Sequence, residues 1–141
     1  MDFNKLCLYR DSVLRANNLA EYIRTEQRAV SSPRFDTVKN SNKGTSNPTE
    51  QKALELIELS EQLGDIKASL AADLPAAQSF IDFYCADEPE AGHMLKLYFV
   101  EGLEPWQVRE IAQEKQYKYD TLATIAWLCR MSKYKPIPNA E

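Results

Sequence analysis

The sequence predicts an all-α fold, made of an antiparallel, coiled-coil-like helical hairpin and a C-terminal unit of three short helices. Two long segments carry apolar residues at alternating three- and four-residue steps, which is the pattern of a helix that buries one narrow stripe. A polar stretch rich in Ser, Asn, Pro and Gly separates these segments, and no stretch alternates apolar and polar residues as a half-buried strand would. We therefore expect a hairpin over residues 1–74 with a loop at 31–48, a second domain over 75–135 and a tail at 136–141.

The first long helix is predicted over residues 4–30, which contain neither Pro nor Gly. Its inward-facing stripe is Leu6, Tyr9, Val13, Ala16, Ala20, Ile23 and Val30. The second helix is predicted to begin at Pro48, because Asn47 is a good N-cap and Glu50 can return the capping bond. Its stripe is Leu56, Leu59, Leu63, Ile66, Leu70 and Leu74. Each stripe alone is too narrow for a globular core, so the two helices should pair, and Pro75 should bend or restart the chain.

Three shorter helices are predicted after the hairpin. The acids between Asp87 and Glu90 suit a helix start, and Gly102 suits a helix end. Further helices should open at Glu104-Pro105 and after Asp120, which is a fair N-cap. The expected inward-facing residues are Met94, Leu95, Tyr98 and Phe99, then Val108, Ile111 and Ala112, then Leu122, Ile125, Ala126 and Cys129, with Trp106 as a lid.

The net charge of −4 is unevenly distributed along the chain. Residues 48–103 hold eleven Asp and Glu against three Lys and Arg, whereas the two ends carry a small positive excess. This distribution allows a modest basic patch at the ends, which a nucleic-acid-binding protein would need. No apolar run approaches the roughly 20 residues that span a bilayer, and the N-terminus is too charged for a signal peptide. We expect a cytoplasmic protein without a membrane partner.

Residue types that carry catalysis or bind metals are sparse. Cys7, Cys85 and Cys129 are widely spaced and His93 is the single histidine, so we expect reduced, packed cysteines and no metal site. A phosphate-binding glycine loop is absent, and Cys85 and His93 would meet only through an accident of folding. The sequence therefore predicts neither an enzyme nor a bound cofactor.

The last two predicted helices have the outline of a helix-turn-helix, in which the second helix enters the DNA major groove. Residues on its outer side and corner that could contact DNA are Arg109, Lys115, Lys118, Tyr119, Thr121, Thr124, Arg130 and Lys133. Its first two turns hold no Arg, Asn or Gln for bidentate base contacts, so strong sequence reading is not expected. Trp127 and Leu128 on the outer side should be covered by another chain or helix. Since such proteins commonly bind paired half-sites, we also expect a homodimer.

The segments SPRFDTVKNSNKGTSNPTEQKALELIEL and EGLEPWQVREIA resemble phage-encoded late transcriptional regulators of the ArpU/RinA type. The C-terminal part of those regulators is similar to region 4 of sigma factors, and the resemblance covers residues 6–131. It implies control of phage or prophage transcription by binding double-stranded promoter DNA, with RNA polymerase as a further partner. It places Gly102 at the turn glycine, Ile111 and Ala112 at an I-A pair, Tyr117 at the corner aromatic, and Thr121, Leu122 and Ile125 in the recognition helix.

Two departures from that pattern leave alternatives open. Val108 is a rival for the position of Ile111, and Gln116 stands where the family has a second turn glycine. The second functional hypothesis is a phage inhibitor on the same scaffold, whose acidic surface binds a basic host protein. Such a protein would be RNA polymerase, a repressor or a defence nuclease such as a CRISPR effector. Its contact residues would be Glu55, Glu58, Glu61, Asp65, Trp127 and Leu128.

Overall fold

The computed structural model describes residues 1–31 and 48–137, which form five α-helices and, within those ranges, no strand. The helices are α1 (Phe3–Ser31), α2 (Pro48–Tyr84), α3 (Pro89–Phe99), α4 (Pro105–Glu114) and α5 (Thr121–Tyr134). The prediction of an all-α fold is confirmed. The N-cap predicted at Asn47, nearly all of the loop predicted at 31–48 and the end of the predicted tail lie outside the described residues.

The chain divides into two compact units whose borders differ from the predicted domains. The first, here called the head unit, joins Met1–Leu14 to Ser69–Glu141. The second, here called the rod unit, is Arg15–Ala68. The predicted border after residue 74 differs from both unit borders, because the first 14 residues of the chain pack with its C-terminal part.

The helix α2 runs without interruption through Pro75, so the predicted restart of the chain at that residue is wrong. A proline inside a helix removes one backbone hydrogen bond and costs about 3 kcal/mol. Just beyond it, Ala77, Phe80 and Ile81 are buried in the core of the head unit. Burying a Phe or Ile side chain contributes about 1.5–3 kcal/mol each, which offsets the cost of the proline.

One hydrophobic cluster forms most of the core of the head unit. The predicted stripe of α1 supplies Leu6, Tyr9 and Val13 to it. The other buried members are Ala77, Phe80, Ile81, Cys85, Ala91, Leu95, Phe99 and Leu128. Four helices therefore contribute buried residues to a single core, with α5 represented by Leu128.

In the rod unit the described residues of the predicted stripes are also buried or half-buried, but few of them are fully buried. Its buried apolar residues in the described part are Ala16, Ile23 and Leu56. The ammonium of Lys52 lies 3.1 Å from a carboxylate oxygen of Glu26 and donates a 3.3 Å hydrogen bond to the Tyr22 hydroxyl. These polar contacts join α1 to α2 within this unit.

Candidate nucleic-acid interface

The three short helices contact one another: α3 touches α4 and α5, and α4 touches α5. Met94, Val108 and Ala112 form a small buried cluster between α3 and α4. Val108 is fully buried whereas Ile111 is half-buried, so Val108 takes the core position for which the two were rivals. Trp106 is 56% exposed, which makes the prediction that it acts as a lid wrong. Its place in the first turn of α4 leaves the indole outside this cluster.

The turn between α3 and α4 is held by an arginine from α1. Gly102 has φ 74°, the left-handed conformation that a glycine adopts without steric cost. The guanidinium of Arg10 donates 2.9 Å hydrogen bonds to the carbonyl oxygens of Tyr98 and Leu103. It also lies 3.9 Å from the centroid of the Tyr98 ring. Arg10 thereby fixes where α4 begins, a role that the sequence does not reveal because its partners are about 90 residues away along the chain.

The corner between α4 and α5 contains a residue in the left-handed backbone conformation. Gln116 has φ 62°. A non-glycine residue in that region is uncommon and costs of order 1 kcal/mol. The next residue, Tyr117, donates its amide to the carbonyl of Ala112 at 2.8 Å, and its hydroxyl lies 2.9 Å from Nδ1 of His93. The left-handed turn therefore forms here without a glycine.

Tyr119, predicted to contact DNA, uses its hydroxyl inside the protein. The hydroxyl donates a 3.0 Å hydrogen bond to a carboxylate oxygen of Glu88, and the ring is half-buried against the core of the head unit. This hydrogen bond is the main reason that the pKa of Tyr119 is raised. The hydroxyl therefore already has a partner within the protein, and the contact of Tyr119 with DNA stays a prediction.

The inner face of α5 is rotated by about one residue from the predicted one. Thr121 and Thr124 are 4% and 6% exposed, whereas Leu122 is 56% exposed and Ala126 is also exposed. The Thr124 hydroxyl donates to the carbonyl of Asp120 at 2.7 Å, so its methyl group can pack inward without an unpaired polar atom. Thr121 and Thr124 therefore cannot contact DNA, and Leu122 and Ala126 do not belong to the core. Ile125 and Cys129 are half-buried, between the two faces.

The opposite side of α5, here called the outer face, consists of the exposed residues Leu122, Ala123, Ala126, Arg130 and Lys133. Its first two turns are apolar and its last turns are cationic. The carboxylate of Asp120 accepts the Ala123 amide at 2.9 Å, which confirms Asp120 as the N-cap. Residue type alone predicts the wrong faces here, because Leu and Ala usually lie in a core and Thr usually lies at the surface.

Five of the predicted cations are exposed: Arg109, Lys115, Lys118, Arg130 and Lys133. Lys118 and Arg130 border one cleft of about 360 Å³ along α5. Ala123 and the half-buried Trp127 also line this cleft. Two acids, Glu88 and Asp120, also line the cleft, and their carboxylates accept hydrogen bonds from the Tyr119 hydroxyl and the Ala123 amide. Lys118 and Arg130 are exposed and are the cations of the cleft that can meet an anion.

The residues predicted to bind a protein partner differ in how exposed they are. Glu55, Glu58, Glu61 and Asp65 are all exposed on the part of α2 in the rod unit. Leu128 is fully buried, so its prediction as a surface contact is wrong, and Trp127 packs against the core of the head unit. The wrong assignment has the same cause as that of the threonines, because α5 turns Leu128 towards the end of α2 and the start of α1.

All three cysteines are free thiols, and burial raises the pKa of Cys85 to about 11. Burial also raises the pKa of Cys7. Neither thiol is therefore activated as a nucleophile. Among residues 1–31 and 48–137, no three His, Cys, Asp or Glu side chains come together in a way that could hold a metal ion.

Within the described part of the chain, the helices lack a stretch with the length and apolar character needed to cross a membrane. Comparisons with protein families, with curated proteins and with solved structures gave no match to this chain.

Proposed function

We propose that this chain is a DNA-binding transcriptional regulator in which α4, the corner at Gln116 and α5 act as a helix-turn-helix. The observation that carries the proposal is the exposed outer face of α5, which ends in Arg130 and Lys133. One face of this helix packs on two neighbouring helices and the other face is exposed. Such a helix can enter the major groove of DNA, which is about 12 Å wide. The family resemblance adds promoter DNA as the target and RNA polymerase as a further partner.

Phosphate contacts supply most of the affinity in this proposal. Arg130 and Lys133 would hold phosphates at one end of α5 and Lys118 at the other, with Arg109 and Lys115 contributing from α4 and its end. Such contacts position a protein on the duplex but carry no direct sequence information. They suit a helix whose exposed first turns lack hydrogen-bonding side chains.

The finer architecture belongs to the same proposal. The start of α1 and the residues Phe80 and Tyr84 border one cleft, while Ser12 borders another with Ser69 and Leu70. This pairing supports an antiparallel arrangement of α1 and α2 inside the head unit. A homodimer on paired half-sites completes the proposal, as is common for helix-turn-helix proteins.

The test is the salt dependence of binding to a fluorescent 30-base-pair duplex, measured by anisotropy. Each phosphate contact contributes about −0.9 to the slope of log affinity against log salt. Replacing both Arg130 and Lys133 by Ala should make the slope less negative by about 1.8. Lys67→Ala, which removes an exposed lysine of the rod unit, is the matched control and should leave the slope unchanged. A wild-type slope near zero, or no binding at low salt, contradicts the proposal.

A second candidate function is the binding of a basic host protein through the acidic surface of α2. The specific observation is that Leu54 and Ile57 are exposed beside Glu58, Glu61 and Asp65, which gives this surface both charge and apolar area. A partner captured from bacterial lysate should persist after nuclease treatment and be lost when these three acids are changed to Lys. The same reversal at two exposed acids of α4, Glu110 and Glu114, is the control. Loss on nuclease treatment alone would support DNA binding instead.

A further inference from the structure

We infer that the outer face of α5 recognises thymine methyl groups, so that the DNA it selects contains neighbouring thymines. This inference rests on the proposed DNA binding and names the feature of the base pairs that the protein reads. It follows from which side chains are outside and which are inside, because the buried threonines are removed from the set that can touch a base.

The part of the outer face that would lie deepest in a major groove is Leu122, Ala123 and Ala126. All three are exposed, and none has a side-chain donor or acceptor. The two hydroxyls in these turns belong to Thr121 and Thr124, which are buried. Hydrogen-bond patterns of base edges therefore cannot be read by the side chains of these two turns.

Thymine is the one base that offers an apolar group in the major groove, its C5 methyl. An alkyl side chain gains free energy by burying that methyl. Over guanine or adenine it would instead cover acceptors or donors that lose water and gain no partner. Discrimination by this face thus favours thymine at the positions it covers.

The cations place the apolar residues at the bases rather than at another protein. Arg130 lies eight residues beyond Leu122, which is about 12 Å along a helix and close to the width of the major groove. Lys118 precedes α5 and shares a cleft with Ala123 and Arg130. An apolar segment with cations at both ends fits a polyanion whose phosphates border an uncharged groove floor.

The test begins with selection from a pool of random-sequence duplexes, using the full chain. In the retained sequence, each thymine is then replaced in turn by deoxyuridine, which lacks only the methyl group. At two or more neighbouring positions we expect affinity to fall about fourfold per methyl removed, the equivalent of about 0.8 kcal/mol. Equal binding of thymine and deoxyuridine versions, or retention of G·C positions without thymine, overturns the inference while DNA binding stands. Failure to retain any duplex at low salt overturns both.

A variant pair connects the effect to α5. Leu122→Ala should bring the thymine-to-deoxyuridine ratio close to one at one position, because it removes most of the exposed apolar side chain there. Leu54→Ala is the matched control, since Leu54 is 58% exposed on α2 against 56% for Leu122, and it should leave every ratio unchanged. Both variants place Ala, the best helix former, at exposed helical positions, so helix content should be retained. An unchanged ratio in Leu122→Ala contradicts the assignment.

Discussion

The head unit and the rod unit are built from the same two long helices but are held together differently. The head unit buries large side chains from four helices in one cluster, including Phe80 and Phe99. The rod unit buries Ala16, Ile23 and Leu56 in its described part and adds the ion pair of Lys52 with Glu26. A narrow stripe therefore gives a stable core only where further helices cover it. The candidate DNA interface lies in the unit with the larger core.

The largest expected effect is the loss of an aromatic side chain from the head unit. Phe99 is buried and meets the rings of Phe3 and Tyr98 edge-on, at centroid distances of 5.9 and 4.8 Å. Phe99→Ala should lower the free energy of unfolding by about 3–5 kcal/mol, as measured by urea denaturation. Leu56→Ala in the rod unit should cost about 2 kcal/mol, because a two-helix site can relax around the cavity. Equal losses in both variants would contradict the difference between the units.

The next effect concerns Arg10, which connects α1 to the turn before α4. Its side chain is 12% exposed, lies 3.9 Å from a carboxylate oxygen of Glu104 and donates hydrogen bonds to two backbone carbonyls. Arg10→Ala should cost about 2–4 kcal/mol in urea denaturation, since hydrogen bonds to charged groups contribute about 1.5–3 kcal/mol each. Arg10→Lys keeps the charge but lacks the planar fork, so it should recover less than half of this loss. Full recovery of the free energy of unfolding in Arg10→Lys would show that the positive charge alone provides the stabilisation.

Much of the fold follows from sequence because helix signals are local. The caps at Glu104 and Asp120 and the left-handed turn at Gly102 need only neighbouring residues, and the structure contains all three. The role of Arg10 and the continuity of α2 through Pro75 depend on residues far away in the chain. The sequence has no local signal for either.

The candidate site was harder to predict because two stripes compete on α5. Leu122, Ile125 and Cys129 have helical spacing, but so do Thr121, Thr124 and Leu128. The second set is the one that is buried, for two reasons. The Thr124 hydroxyl donates a hydrogen bond to a backbone carbonyl, and Leu128 lies in the core that α1 and α2 share with α5. Because the first 14 residues of the chain belong to the head unit, the face of α5 that must be buried changes.

A smaller effect tests this choice of faces. The Thr121 hydroxyl is buried with no hydrogen-bond partner among the described residues. Thr121→Val keeps the shape and removes the unpaired group, so stability should stay the same or rise by up to about 1 kcal/mol. DNA affinity should not change, because the side chain points inward. A loss of DNA affinity without a loss of stability would mean that Thr121 contacts the ligand.

The smallest expected effect is that of removing the ion pair between Lys52 and Glu26 in the rod unit. The hydrogen bond with Glu26 is the main cause that raises the pKa of Lys52. Its contribution is thus present below the ordinary lysine pKa, about 10.4, and is lost as pH rises through the raised value. Lys52→Met should have a lower urea midpoint than wild type at pH 7 in low salt, and this difference should shrink in high salt. A difference independent of salt would assign the effect to packing.

The proposed DNA binding depends most directly on α5 presenting Ala126 outward to DNA. The decisive measurement compares the affinity of Ala126→Arg and Ala126→Glu for one duplex at fixed salt, with the same two substitutions at Ala68, an exposed alanine of the rod unit, as control. At position 126 the Arg variant should bind tighter than the Glu variant by on the order of tenfold or more, because one charge attracts phosphates and the other repels them. At position 68 the two should bind alike. Equal affinities of the two variants at position 126, in folded protein, would contradict the proposal that the outer face of α5 meets DNA.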